Sequence, residues 1–147
     1  MKNIQVKIKF LTEKKLFPKY QTIGSSGMDI YACTEKPIVI SAGETAKIPT
    51  GFAMAIPEGY EAQIRPRSGL AAKFNIGVIN SPGTIDADYR GEVQILLSNF
   101  SKNEFTVNPN DRIAQMVIQE VILANWQETE KLPDSLRSEG GFGHTGI

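Results

Sequence analysis

Asn80-Ser81-Pro82-Gly83-Thr84-Ile85-Asp86-Ala87-Asp88-Tyr89-Arg90-Gly91-Glu92 runs straight into an apolar-alternating segment, Val93 to Leu97. Three turn-formers, Asn80, Pro82 and Gly83, precede two acids and a tyrosine. The pattern reads as a β-hairpin whose tip leaves backbone donors and acceptors free. Just past the turn, the carboxylate of Asp86 and the ring of Tyr89 lie three residues apart. Such a turn can hold a flat polar ring, press on what is attached to it and activate a water beside it. The same residues also read as solvated turn acids with a core tyrosine, so the stretch alone leaves its chemistry open.

Similar short alternating segments recur on both sides of it. Candidate strands are Val6–Phe10, Met28–Ala32, Ile38–Ile40, Thr45–Ile48, Gly51–Ile56 and Tyr60–Arg65, then Gly77–Ile79, Gly83–Ile85, Glu92–Ser98, Phe105–Val107 and Arg112–Val121. Turn signals at Pro37, Ser41-Ala42-Gly43, Pro57-Glu58-Gly59 and Asn108-Pro109-Asn110 punctuate them. Many short strands at close spacing predict an all-β sandwich or barrel. The exception is Ser68–Phe74, about two helical turns entered through a serine suited to N-capping. No repeat or linker divides the 147 residues, which are expected to form a single domain. A chain of this length buries roughly 68–70% of its unfolded surface.

Composition narrows the chemistry. Sixteen basic and sixteen acidic residues leave no net charge, so no basic field points to duplex nucleic acid. No apolar run reaches the roughly 18 residues of a membrane span. The first strand alternates Ile4, Val6, Ile8 and Phe10 with polar residues, the pattern of a strand and not of a signal peptide. A single cysteine, Cys33, excludes an internal disulfide and fits a reducing compartment, so a cytoplasmic protein is expected. His144 is the only histidine, the fourth residue from the end of the sequence. A histidine-activated nucleophile or a zinc site is therefore not expected. Hydrolysis in such a chain falls to carboxylates, backbone amides, arginines and a hard metal ion.

Three further segments carry polar groups suited to that work. Arg65-Pro66-Arg67-Ser68-Gly69-Leu70-Ala71 ends a strand and opens the helix; exposed amides there bind anions, and Arg67 adds a charged fork. It reads equally as a surface turn. Ser25-Ser26-Gly27-Met28-Asp29-Ile30 sets an acid in an apolar strand start, able to order waters around a divalent cation, hold an arginine or pair with a backbone turn. In Asn110-Asp111-Arg112-Ile113-Ala114-Gln115, Gln115 can reach a ligand, while Asp111 and Arg112 suit a structural ion pair. The last stretch, Leu136 to Ile147, holds four glycines with Arg137 and Phe142, and is expected to be a mobile arm able to close over an anionic aromatic ligand.

In this order and spacing, Ser26-Gly27-Met28-Asp29, Pro66 to Ala71, Ile85 to Gly91, Asp111 to Gln115 and Gly140 to Gly146 resemble the five signature motifs of the trimeric dUTP pyrophosphatases. Each motif is weak alone, but five in register span essentially the whole chain. The resemblance implies a jelly-roll-like β-barrel (β-clip), with a core to about residue 130 and a flexible C-terminal arm from about 131. It implies a homotrimer with three shared active sites and hydrolysis of dUTP to dUMP and pyrophosphate with Mg2+. That reaction supplies dUMP for thymidylate synthesis and keeps uracil out of DNA.

Carried over position by position, Asn80 and the backbone around Thr84 and Ile85 would hold uracil. Tyr89 would pack on deoxyribose and leave no room for a 2′-hydroxyl, and Asp86 would activate the attacking water. Arg67, Ser68 and Gly69 of a neighbouring subunit would hold phosphates, with Gln115 near the α-phosphate. A third subunit would bring Phe142 over the base and Arg137 onto the γ-phosphate. Gln94 matches a position of backbone contact in bacterial members. Mg2+ would be held mainly by substrate phosphates and waters, ordered by Asp29. Ser26 replaces a usual alanine, Asn110 a usual glycine, and Ser138 a glycine that often follows the arm arginine. Two other readings use the same scaffold: a dCTP deaminase, whose catalytic glutamate is replaced here by Leu96, and a nucleotide-binding regulatory protein.

Overall fold

The computed structural model describes residues 3–140, so Phe142 and His144 lie outside the described residues. Along the chain run β1 (Lys7–Phe10), β2 (Met28–Tyr31), β3 (Ile38–Ile40), β4 (Thr45–Ala55), β5 (Tyr60–Arg65) and α1 (Ser68–Phe74). Then follow β6 (Ile76–Val78), β7 (Gly83–Ile85), β8 (Glu92–Asn99), β9 (Phe105–Val107) and β10 (Arg112–Glu120). Two four-stranded sheets, ordered β1-β4-β8-β6 and β2-β10-β5-β7, face one another, and β3 pairs with β9. Between the sheets, Ile30, Ile48, Phe52, Ile64, Ile95 and Ile113 are almost fully buried. Alternation supplies these residues: in β8, Val93, Ile95 and Leu97 point inward while Gln94 is exposed. The all-β, jelly-roll-like expectation holds. No helix among the described residues is long and apolar enough to cross a membrane.

Two expectations change. Thr45–Ile48 and Gly51–Ile56 are one strand, β4, that continues through Pro49. The register against β8 shifts between Pro49 and Ala53. A bulge accommodates a residue with no N–H to give to the ladder. At its centre Gly51 takes φ 72, and a Cβ there would stand 2.6 Å from the Cys33 sulfur. Gly51→Ala is therefore expected to destabilise the fold by about 2–4 kcal/mol, from left-handed strain plus overpacking. A lowered midpoint in urea at unchanged slope checks this.

The stretch from Asn80 to Glu92 is not a hairpin of paired strands. β6 ends on the outer edge of one sheet, paired with β8, while β7 begins the edge of the other, paired with β5. The turn Asn80–Pro82, with a cis Ser81-Pro82 peptide, thus carries the chain from sheet to sheet. Local turn chemistry is the same in both cases; the partner strands differ. As a result, the segment lies at the open edge between the two sheets.

Candidate active site

At that open edge a pocket of about 340 Å3 is lined by Asn80, Thr84, Asp86, Tyr89 and Gln94, with Ile64, Ile85 and Ile95 behind them. Gly83 makes the turn compact, because a Cβ on it would meet the Asn80 amide nitrogen at 3.0 Å. Thr84 is exposed and Ile85 buried, as alternation along β7 requires. Past β7 the chain turns tightly, with Tyr89 N donating to Asp86 O at 3.2 Å. Arg90 fixes this turn by donating to the carbonyls of Ala87 (2.6 Å) and Tyr89 (2.8 Å). Tyr89 folds back over Gly91 and its hydroxyl donates to Glu92 O at 3.0 Å.

Two carboxylates border the pocket, and their surroundings separate them. Glu92 accepts from Gly51 N at 2.8 Å and from the Gln94 amide at 3.2 Å, so it ties β8 to the bulge of β4. The Asp86 side chain is exposed and makes no hydrogen bond or ion pair to the described residues. Asp86 is thus the acid left free for a ligand or a water. Neither Glu92 nor Lys47, which also lines the pocket, stands out in the sequence. Each comes from a strand whose pairing is long-range.

A second cluster forms where β2, β10 and the start of α1 meet. Asp29 is 2% exposed; it accepts a hydrogen bond from Arg112 Nη1 at 3.1 Å and forms an ion pair with Arg67, whose Nε lies 3.4 Å from its other oxygen. Gln115 Nε2 lies 3.5 Å from the same carboxylate, and Arg67 also donates to Arg112 O at 2.9 Å. A buried acid holding two arginines is a strong anchor. Arg67 is the N-cap of α1, with extended backbone and no capping bond from its side chain. Ser68 stands inside the first turn, a correction to its expected capping role. Ser68 and Gly69 are exposed at this end, with open space beside Gly69. Asp111 does not pair with Arg112; it accepts from Asn108 N at 2.8 Å and closes its own turn. Asn110 supports that turn at φ 69, the conformation in which asparagine replaces glycine most easily.

Asp29 has both oxygens engaged by cations, and no three of His, Cys, Asp or Glu gather in a metal-sized group among the described residues. This donor set does not form a cage. Mg2+ held mainly by phosphate oxygens and its own waters would need no such cage. Arg137 lies in the exposed segment after β10, its Nε donating to Gly140 O at 2.7 Å, and Ser138 takes φ 45 where glycine is frequent.

The pocket at the sheet edge and the arginine cluster share no lining residue. What joins them is the pattern of the whole chain: the sequence profile described as dUTPase matches residues 13–146. The chain belongs to the dUTPase family. It is 49% identical over 147 residues to the deoxyuridine 5'-triphosphate nucleotidohydrolase of Syntrophotalea carbinolica, with 100% of each chain covered. Identity to the Rickettsia bellii protein of the same name is 55% over 145 residues, 97% of this chain and 96% of that one. Among solved structures, the dUTPase of Staphylococcus bacteriophage 80alpha with dUpNHpp superposes at a TM-score of 0.87 and 25% identity, covering 99% of this chain and 100% of that one. Both clusters described above thus fall within dUTPase sequence.

Proposed function

We infer that this chain is a dUTP diphosphatase, hydrolysing dUTP to dUMP and pyrophosphate. The observation that carries the reading is the uncommitted carboxylate of Asp86 beside Tyr89 and Asn80, within a chain of dUTPase sequence throughout. Uracil enters the sheet-edge pocket, meeting Asn80 and the backbone of Thr84 and Ile85. Asp86 accepts a proton from a water as its oxygen bonds the α-phosphorus, and the bond from that phosphorus to the bridging oxygen breaks. A carboxylate is a weak base, so most of the acceleration comes from alignment and charge stabilisation at phosphorus. Arg67, Ser68, Gly69 and Gln115 hold the phosphates; Mg2+, when bound, neutralises phosphate charge.

Separate lining of the two clusters supports an active site shared between copies. So does the exposure of Ile122 (93%), Leu123 (84%) and Trp126 (95%), apolar side chains that an isolated chain leaves in water. The reading is a cytoplasmic homotrimer in which the barrel, to about residue 130, offers both clusters. The arm from about 131 brings Arg137 and Phe142 to a neighbour's site. Light scattering should then give three times the 16.2 kDa of one chain.

Pyrophosphate release measured across dUTP, UTP, dTTP and dCTP tests the activity. Release from dUTP alone is expected, with no ammonia from dCTP; ammonia would overturn the reading. Leu96 lines the pocket where a deaminase needs its acid. Sugar selection has its own test. A Cβ at Gly91 collides with the Tyr89 hydroxyl, so Gly91→Ala should push the ring out of place. The ratio of kcat/KM for dUTP over UTP is then expected to fall by about tenfold, the worth of ~1.4 kcal/mol.

A further inference from the structure

β5 carries its polar residues on the face away from the core: Glu61, Gln63 and Arg65 alternate with the buried Ala62 and Ile64. Across that face, Asp29 of β2 is opposite Gln115 of β10, and Gln115 is opposite Arg65 of β5. Directly opposed residues point to the same side of a sheet, with strands about 4.8 Å apart. Asp29, Gln115 and Arg65 therefore form one straight row on the face that bears the phosphate-binding cluster. Asp29, which holds the guanidinium of Arg67 by an ion pair, stands at one end of the row, and Arg65, two residues before Arg67 in the chain, stands at the other.

The two guanidinium groups differ in what they hold. Arg67 and Arg112 are both matched to the buried Asp29 carboxylate. Arg65 is exposed, and among the described residues it makes no ion pair. Its Nη2 donates to Gln63 Oε1 at 2.7 Å, and Gln63 in turn donates to Glu61 at 2.6 Å. This tether orients the group while leaving its positive charge and most of its N–H donors available.

We propose that Arg65 is a second guanidinium for the triphosphate, binding oxygens of the departing pyrophosphate on the side of Gln115 opposite Asp29. The proposal rests on the dUTP-hydrolysing reading above. As the α-phosphorus gains the water oxygen, the electron pair of the breaking bond passes to pyrophosphate. A fixed cation gains most from a group whose charge grows in this way.

Full-length Arg65→Gln and Arg65→Lys proteins test it, through KM and kcat for dUTP and calorimetric binding of inorganic pyrophosphate with magnesium chloride. Binding of dUMP, which lacks the two outer phosphates, is the control. In Arg65→Gln, pyrophosphate affinity should drop about tenfold, equal to ~1.4 kcal/mol, with a rise in KM, a fall in kcat and unchanged dUMP binding. Arg65→Lys, which keeps the charge and loses the fork, should recover part of the loss. It also carries the test if the glutamine protein does not fold. Pyrophosphate and dUTP affinities within about twofold of wild type would overturn the assignment, as would equal weakening of dUMP. Wild-type protein that binds pyrophosphate through Arg65 yet releases none from dUTP would overturn the hydrolytic reading and leave the assignment standing.

Discussion

Asp86→Asn is expected to bind dUTP about as tightly as the wild type while turning it over about 10²–10⁴-fold more slowly, the usual worth of a positioned base. The substitution is nearly isosteric, and the native side chain makes no bond to the described residues that an amide would break. Stability should therefore stay within about 0.5 kcal/mol, as for other exposed positions without partners. An asparagine can still orient a water by accepting a hydrogen bond, but it cannot take the proton. Pyrophosphate release in the steady state and calorimetric titration with dUTP separate the two effects. Turnover at the wild-type rate would remove Asp86 from the chemistry. Glu92 would not then inherit the role, because both of its oxygens already serve the β4 bulge and Gln94.

Strand periodicity made the elements legible because inward residues repeat at every second position. Ile38–Ile40, Tyr60–Arg65, Gly83–Ile85, Phe105–Val107 and the helix Ser68–Phe74 have the bounds that alternation and turn signals predict. Proline grammar misled at Pro49, where it suggests a break; the strand continues because a bulge and Gly51 absorb the missing N–H. The turn at Asn80 was legible as a turn but not as a crossing, since nothing local says that β6 and β7 pair into different sheets. Functional partners were hidden in the same way. Asp111 and Arg112 are adjacent and look like a pair, yet Arg112 reaches Asp29, 83 residues away in sequence. Composition can supply the residue types of a site; the register between distant strands decides which of them meet.

Asp29→Asn follows from that register and should be the second most damaging change. The carboxylate is almost fully buried and holds two guanidinium groups whose side chains are 21% and 47% exposed. Neutralising it leaves two like charges side by side with no counter-ion. Breaking a buried pair costs about 3–5 kcal/mol, and solvent around the two arginines reduces that here to roughly 1–3 kcal/mol. The larger effect falls on activity. Arg67 loses its charged partner and keeps its bond to Arg112 O, so its fork is no longer held at a fixed place. A displacement of about 1 Å in such a group can cost about 10²-fold, and kcat/KM for dUTP should fall by at least that much. Two roles for Asp29 make different demands on the same variant. If it mainly orders waters on Mg2+, raising magnesium should restore much of the rate, and the losses from Asp29→Asn and Arg67→Gln should add. If it mainly holds Arg67, magnesium restores little and the double variant is scarcely worse than Arg67→Gln alone. The 3.4 Å contact and the engagement of both carboxylate oxygens favour the second result.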